Sequence, residues 1–136
     1  MIVDSSALVA IVRDESDAAD YATALAGAPA VAISAVNWTE AAIVVDSARD
    51  PASSRRFDEL VRVARIEVVA VTPEQATTAR QAYRDFGRGS GHRARLNFGD
   101  CFAYALASTT GRPLLFKGDD FTHTDLRSAG ERPLTL

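Results

Sequence analysis

The chain has 136 residues, a length that suits one domain spanning 1–136, and 47% of them are apolar, enough to fill a core and too many for a disordered segment. The net charge of −3 means that the molecule as a whole is not a cationic nucleic-acid binder. No apolar run approaches the ~20 residues of a membrane span, and no basic stretch leads into a long apolar one, so the expectation is a soluble, cytoplasmic protein. The single cysteine, Cys101, has no intrachain disulfide partner, and no Cys/His cluster suggests zinc.

In chain order, "MIVD" reads as a short buried strand ending in an acid, and "SSALVAIVRD" follows as a helix with Ser5 or Ser6 as its cap. Asp14 to Gly27 reads as a second, Ala-rich helix closed by its glycine. Ala30 to Ser34 is apolar and β-branched, hence a second strand, and "AVNWTEAAIVVDSARD" is a helix that carries Glu40. Pro51 suits the first turn of a helix running to about Arg65; Ile66 to Val71 is a third strand; Thr72-Pro73-Glu74 opens a helix that ends near Gly87. "GRGSG", Gly87 to Gly91, is a loop and no P-loop, because no Gly-Lys-Ser/Thr follows. In "ARLNFGDCFAYALA" the residues Phe98, Cys101, Phe102, Ala105 and Leu106 recur at helical spacing, and Asn97 is positioned to cap that helix. "PLLF", Pro113 to Phe116, is a fourth strand, and the terminal "RPLTL" is a fifth, weaker one. Strands that are short apolar runs, alternating with helices, predict a three-layer α/β/α fold with a central parallel sheet of four or five strands.

The acids gain meaning from that architecture. In open parallel sheets ligands bind outside the carboxyl ends of the strands. Asp4 ends the first strand, Glu40 lies six residues past the second, Asp100 is in the first turn of the helix that leads to the fourth, and Asp119 and Asp120 lie just beyond the fourth. Each has an ordinary use: a cap, a turn, or for Asp100 a first-turn acid opposite Asn97. Glu40 is harder to dismiss, because Trp38, Ala41, Ala42, Ile43 and Val44 around it leave little polar face. Together, like charges on one edge repel unless a cation or a shared proton compensates. An all-oxygen set suits Mg²⁺ or Mn²⁺. The bases are also uneven: 14 of the 15 are arginine, with Lys117 the exception. Arg80, Arg84, Arg88, Arg93 and Arg95 fall close together with His92, a candidate phosphate-contacting surface. His92 and His123 read as surface residues, and Phe86 as packing rather than a base-stacking ring.

These residues resemble the PIN-domain ribonucleases, specifically the VapC-type toxins of bacterial toxin–antitoxin pairs, over essentially the whole length. "MIVDSSALVAI" is similar to the family's opening strand with its first acid, Asp4; "SAVNWTEAAIVV" to the segment of the second, Glu40; "HRARLNFGDCFAYALA" to the third motif, with Asp100; and "PLLFKGDDF" to the fourth. The fourth departs from the family in placing Lys117-Gly118, and no Thr or Ser, before its acids. Asp119 is the favoured fourth acid and Asp120 the alternative.

The resemblance implies a Mg²⁺-dependent endoribonuclease, with Mn²⁺ able to substitute, that cuts a loop of structured RNA such as tRNA or rRNA. Asp4, Glu40, Asp100 and Asp119 would be the catalytic and metal-binding acids, with Ser6 orienting Asp4 by a hydrogen bond. Arg80, Arg84, Arg88, Arg93, Arg95 and Lys117 would be weaker contacts to RNA. It further implies a homodimer and a cognate VapB-type antitoxin. Two other readings keep the fold: a binding module without catalysis, and an acid-edge phosphotransfer or phosphatase domain. Haloacid-type hydrolases need a second Asp two residues after the first, where this chain has Ser6. Ser-His-Asp hydrolysis lacks its Gly-x-Ser-x-Gly elbow.

Overall fold

A computed structural model of the protein describes residues 1–129. Strand β1 (Ile2–Val3) turns at Asp4 into helix α1 (Ser5–Val12), whose open N-terminus is capped by the Asp4 carboxylate. Helix α1 is followed at Asp14 by a left-handed residue, φ 52°. That conformation breaks a helix, and Asp tolerates it better than most residues do. The helix expected from Asp14 therefore begins at Ala18 and runs to Gly27 as α2. Strand β2 (Val31–Ser34) leads without a linker into α3 (Ala35–Asp46), capped by the Ser34 hydroxyl. Helix α4 (Pro51–Val63) and helix α5 (Pro73–Phe86) both start with a proline, whose missing N–H costs nothing there, behind the caps Asp50 and Thr72. Between them lies β3 (Ile66–Val69). Helix α6 (Phe98–Thr110) ends at Gly111, left-handed at φ 65°, and feeds β4 (Leu114–Leu115).

The four strands form one sheet in the order β3-β2-β1-β4, every pair parallel. Ile2 faces Ala32 on one side and Leu114 on the other, and Val31 faces Ile66. The fifth strand expected at 132–136 lies outside the described residues. Within them Leu114 adds an isolated bridge to Ser128 on the far side of β4.

Alternating side chains of the strands enter two separate cores, as the pleat requires. Ile2, Ala32 and Leu114 join Ala79, Ala82, Tyr104 and Leu106 of α5 and α6. Val3, Val31, Ile33 and Leu115 join Leu8, Leu25, Ala41, Val45 and Phe57 of α1 to α4. The sheet is thus sandwiched between two helical layers, as the alternation of the sequence predicts. This topology fixes where function can sit. Helices α1 and α3 follow β1 and β2 directly, so both start at the carboxyl ends of adjacent strands, and β4, on the other side of β1, delivers Lys117 to Asp120 to the same edge.

Candidate active site

Asp4 is only 3% exposed. Its Oδ2 accepts hydrogen bonds from the Ser6 amide at 3.1 Å and the Ser6 hydroxyl at 2.6 Å. Ser6 Oγ in turn accepts from the Lys117 amide at 2.9 Å, so one hydroxyl ties the first acid to the loop after β4. The amide of Ser6 makes the helix cap and its hydroxyl makes the hydrogen bond to the same oxygen of Asp4. The other carboxylate oxygen, Oδ1, is buried with no partner, which is costly for a polar atom unless something else satisfies it. Burial above all pushes the Asp4 carboxyl up to about 6, against the Ser6 hydrogen bonds and with the added charge of Glu40.

Asp100 is 7% exposed and does what a first-turn acid does. Its Oδ2 accepts from the Asn97 amide at 3.0 Å, and Asn97 Oδ1 accepts from the Asp100 amide at 2.9 Å, a complete capping box. The cap does not exhaust it. Burial drives its carboxyl up to about 7, opposed by the Asn97 bond, and the charges of Asp4 and then Asp120 push the same way. Capping orients Asp100; burial first, and then the neighbouring acids, make it chemically unusual.

Glu40 is half-buried on the second turn of α3. Its Oε1 accepts from the Ser5 hydroxyl at 2.5 Å, and its carboxylate lies against the backbone of Gly99. Asp119 and Asp120 are both exposed. The one that bears on Asp100 is Asp120, where the sequence favours Asp119.

Among the described residues no three His, Cys, Asp or Glu side chains already stand as a metal-holding group. The acids nonetheless act on one another: the charge of Glu40 bears on Asp4, and those of Asp4 and Asp120 bear on Asp100. Oxygen-only donors with one buried, unpartnered oxygen fit a hard dication, and the chemistry of the set excludes a soft one.

The basic residues separate. Arg88, Arg93 and Arg95 line a cleft of about 340 Å³ together with Asp119, Asp120 and His123, which brings guanidinium groups up to the acidic edge. The loop that carries them is closed at its neck by a bridge between Gly87 and Leu96, with Leu96 N donating to Phe86 O at 2.8 Å and Arg88 N to Leu96 O at 2.9 Å. Buried Ala94 and Leu96 alternate with exposed Arg93 and Arg95, so both arginines leave on the solvent side. Arg80 instead lines a different groove, with Tyr83, Phe98 and Phe102, and Arg84 is exposed in the last turn of α5. Lys117 is taken up elsewhere: its ammonium contacts Glu15 at 2.7 Å and Asp17 at 3.1 Å. His92 accepts from the Ala94 amide at 3.0 Å and packs edge-on against Phe86, which also packs on Tyr104. Three contributors escape the sequence reading: Ser5, Gly99 and Asn37, whose side-chain amide donates to Gly99 O at 2.9 Å. An asparagine set in a largely apolar helix is visible in the sequence, but it does not name its partner.

The PIN domain family model matches residues 1–126. The chain belongs to the PIN-domain family. Within it the chain falls among the VapC ribonucleases: it is 57% identical over 132 residues to ribonuclease VapC28 of Mycobacterium tuberculosis, covering 97% of this chain and 99% of that one. Ribonuclease VapC42 of the same organism is 54% identical over 129 residues, with 95% and 98% covered. Among solved structures, M. tuberculosis VapC20, described as a sarcin–ricin-loop-cleaving toxin, superposes with a TM-score of 0.74 at 17% identity, covering 97% and 98% of the two chains. A toxin–antitoxin complex from Klebsiella pneumoniae superposes at 0.69 and 15% identity, covering 91% and 92%. These structural likenesses agree with the fold derived above. No helix among the described residues is long and apolar enough to cross a membrane.

Proposed function

We propose that the chain is a metal-dependent endoribonuclease, the toxin of a toxin–antitoxin pair, that hydrolyses a phosphodiester in an unpaired loop of structured RNA. One observation carries the reading: Asp4 Oδ1 is buried without a donor beside the capped, buried Asp100. A folded protein keeps such an oxygen when a ligand completes it.

Asp4 and Asp100 would hold Mg²⁺ or Mn²⁺ directly, with Glu40 and Asp120 completing the set directly or through water and Asp119 at its rim. When bound, the ion supplies charge neutralisation at the phosphoryl group and a more acidic water. The chain's own residues do the rest. The Ser6 hydroxyl holds Asp4 in one rotamer, the Asn97 amide holds Asp100, and the Ser5 hydroxyl holds Glu40. Glu40 Oε2 is the oxygen left to orient the attacking water and take its proton. Arg88, Arg93 and Arg95 would grip the flanking phosphates, bidentate geometry being what a guanidinium offers them. An unpaired loop suits this arrangement, because a strand must be splayed to bring one phosphate to a recessed carboxylate pair.

The naming of the relatives and the antitoxin complex among the structural neighbours support a VapB-type antitoxin partner; a homodimer in the cytoplasm is part of the same proposal. Apolar faces open to such partners include a groove of about 680 Å³ between α1 and α4 with Ile11, Leu60 and Val63, the outer face of α3, where Ile43 is 63% exposed, and the groove of Tyr83, Phe98 and Phe102.

The test is cleavage of a structured RNA with Mg²⁺ or Mn²⁺, with and without chelator, by wild type, Asp4→Asn and Asp100→Asn. Cleavage is expected in the wild type only with metal, and both variants should remain folded and lose it by at least about 100-fold. Retained cleavage in both variants overturns the site; cleavage in chelator overturns the metal.

A further inference from the structure

We infer that Gly99 and Asn37 are positioning residues that set where the Glu40 carboxylate stands relative to Asp100, an inference that rests on the metal-site reading above. Asn37 is fully buried on α3, one turn before Glu40. Its amide donates to the carbonyl of Gly99, the residue just before Asp100 in the first turn of α6. That single bond, across 62 positions of sequence, pins the turn that carries one acid to the helix that carries another. Residues three apart lie on one helix face, so pinning at Asn37 also aims Glu40 at α6.

Gly99 completes the arrangement by what it lacks. A Cβ built there would overlap Glu40 Oε2 and stand 2.8 Å from Cδ and 2.9 Å from Oε1. The carboxylate therefore occupies the space of the missing side chain, with the Ser5 hydroxyl holding its other oxygen. Glycine is a poor helix former, and Gly99 has a helix-building neighbourhood in which alanine would serve the backbone better. The clash is with the far end of a flexible side chain and not with backbone, so alanine would displace the acid and leave the helix intact. The requirement for glycine belongs to the site.

This gives a test with opposite signs for fold and site. Mn²⁺ alone is titrated into the full chain without RNA, and thermal melting is recorded without metal. Gly99→Ala should melt at or above the wild-type temperature and bind Mn²⁺ roughly 10- to 100-fold more weakly, the range for groups that orient metal ligands. Asn37→Ser, which removes the donor to Gly99 O, should weaken Mn²⁺ by roughly 10-fold. Glu40→Asp, shorter by one methylene, should weaken Mn²⁺ binding in the wild-type background and restore part of it beside Gly99→Ala, a coupling that no general loss of packing produces. Wild-type Mn²⁺ affinity in Gly99→Ala, or additive losses in the double variant, overturns the inference while the metal site stands. Unfolding of Gly99→Ala also overturns it, since then α6 and not Glu40 demands the glycine. A wild type that takes up no Mn²⁺ brings down the metal site and this inference together.

Discussion

Two groups of carboxylates stand near the loop after β4, and they are treated in opposite ways. Glu15 and Asp17 share the ammonium of Lys117, half-exposed, with ordinary ion-pair geometry. Asp4, Glu40, Asp100 and Asp120 gather at the carboxyl ends of the strands, and among the described residues Asp4 and Asp100 are buried there with no ion pair to a cation. The chain has one lysine, and it is spent on the first group. Burying like charges together costs stability, whereas pairing them at the surface costs little. The difference teaches where to look for function: the cluster that the described residues leave uncompensated is the one to which the proposed ion is assigned.

The largest effects should break the comparison at its unpaired end. Asp4→Asn and Asp100→Asn should abolish the proposed cleavage, yet a calorimetric melt without metal should find Asp4→Asn at least as stable as wild type, because a buried repulsive charge is removed. Saturating Mn²⁺ should stabilise the wild type by about 2.7 kcal/mol at a hundredfold excess over Kd, and the two variants much less, as a thermal shift would record. A smaller effect is the pH profile of the metal-free protein. Both Asp4 and Asp100 have carboxyls raised above their ordinary 3.8, to about 6 and about 7. A raised folded-state value means tighter proton binding in the fold, so their contribution is present at low pH and lost as pH rises through those values. Denaturant melts from pH 4 to 8 should show this decline, and Asp4→Asn combined with Asp100→Asn should flatten it. Asp17 has the opposite sign, its carboxyl held down chiefly by Lys117, and contributes only above the acid range.

Two further measurements sharpen the picture on the cationic side. Replacing Arg93 or Arg95 by Ala should weaken RNA binding and reduce the slope of log affinity against log salt by about 0.7 to 0.9 each, whereas Arg80→Ala and Arg84→Ala should change it less. Smallest of all, Lys117→Ala should leave cleavage within about twofold of wild type, since its ammonium faces Glu15 and Asp17 and not the cleft. A steep loss there would erase the distinction between the two carboxylate groups.

What could be read from the residues follows physical range. Asp4 and Glu40 are legible because each follows an apolar strand within a turn or two, and Asp100 because Asn97 and the helical repeat locate its turn. The choice between Asp119 and Asp120 is not, because Gly118, at φ 93°, sets the direction in which the loop leaves β4. Helical spacing puts Arg80 and Arg84 on α5, while the loop that follows carries the other arginines elsewhere, so a cluster in sequence becomes two surfaces in space. Ser5, Asn37 and Gly99 act through partners 35 and 62 positions away, a distance over which no local pattern reaches.

The bridge between Gly87 and Leu96 has a consequence of its own. It ties off the arginine-bearing loop like a drawstring, with Asn97 and Asp100 on the far side of the knot. The exposed side chains inside the noose, Arg93 and Arg95, leave on the solvent side, so replacing them should not tug on Asp100. On the function proposed above, substitutions of Arg93 or Arg95 should change which RNA is held and leave the placement of Asp100 as it is.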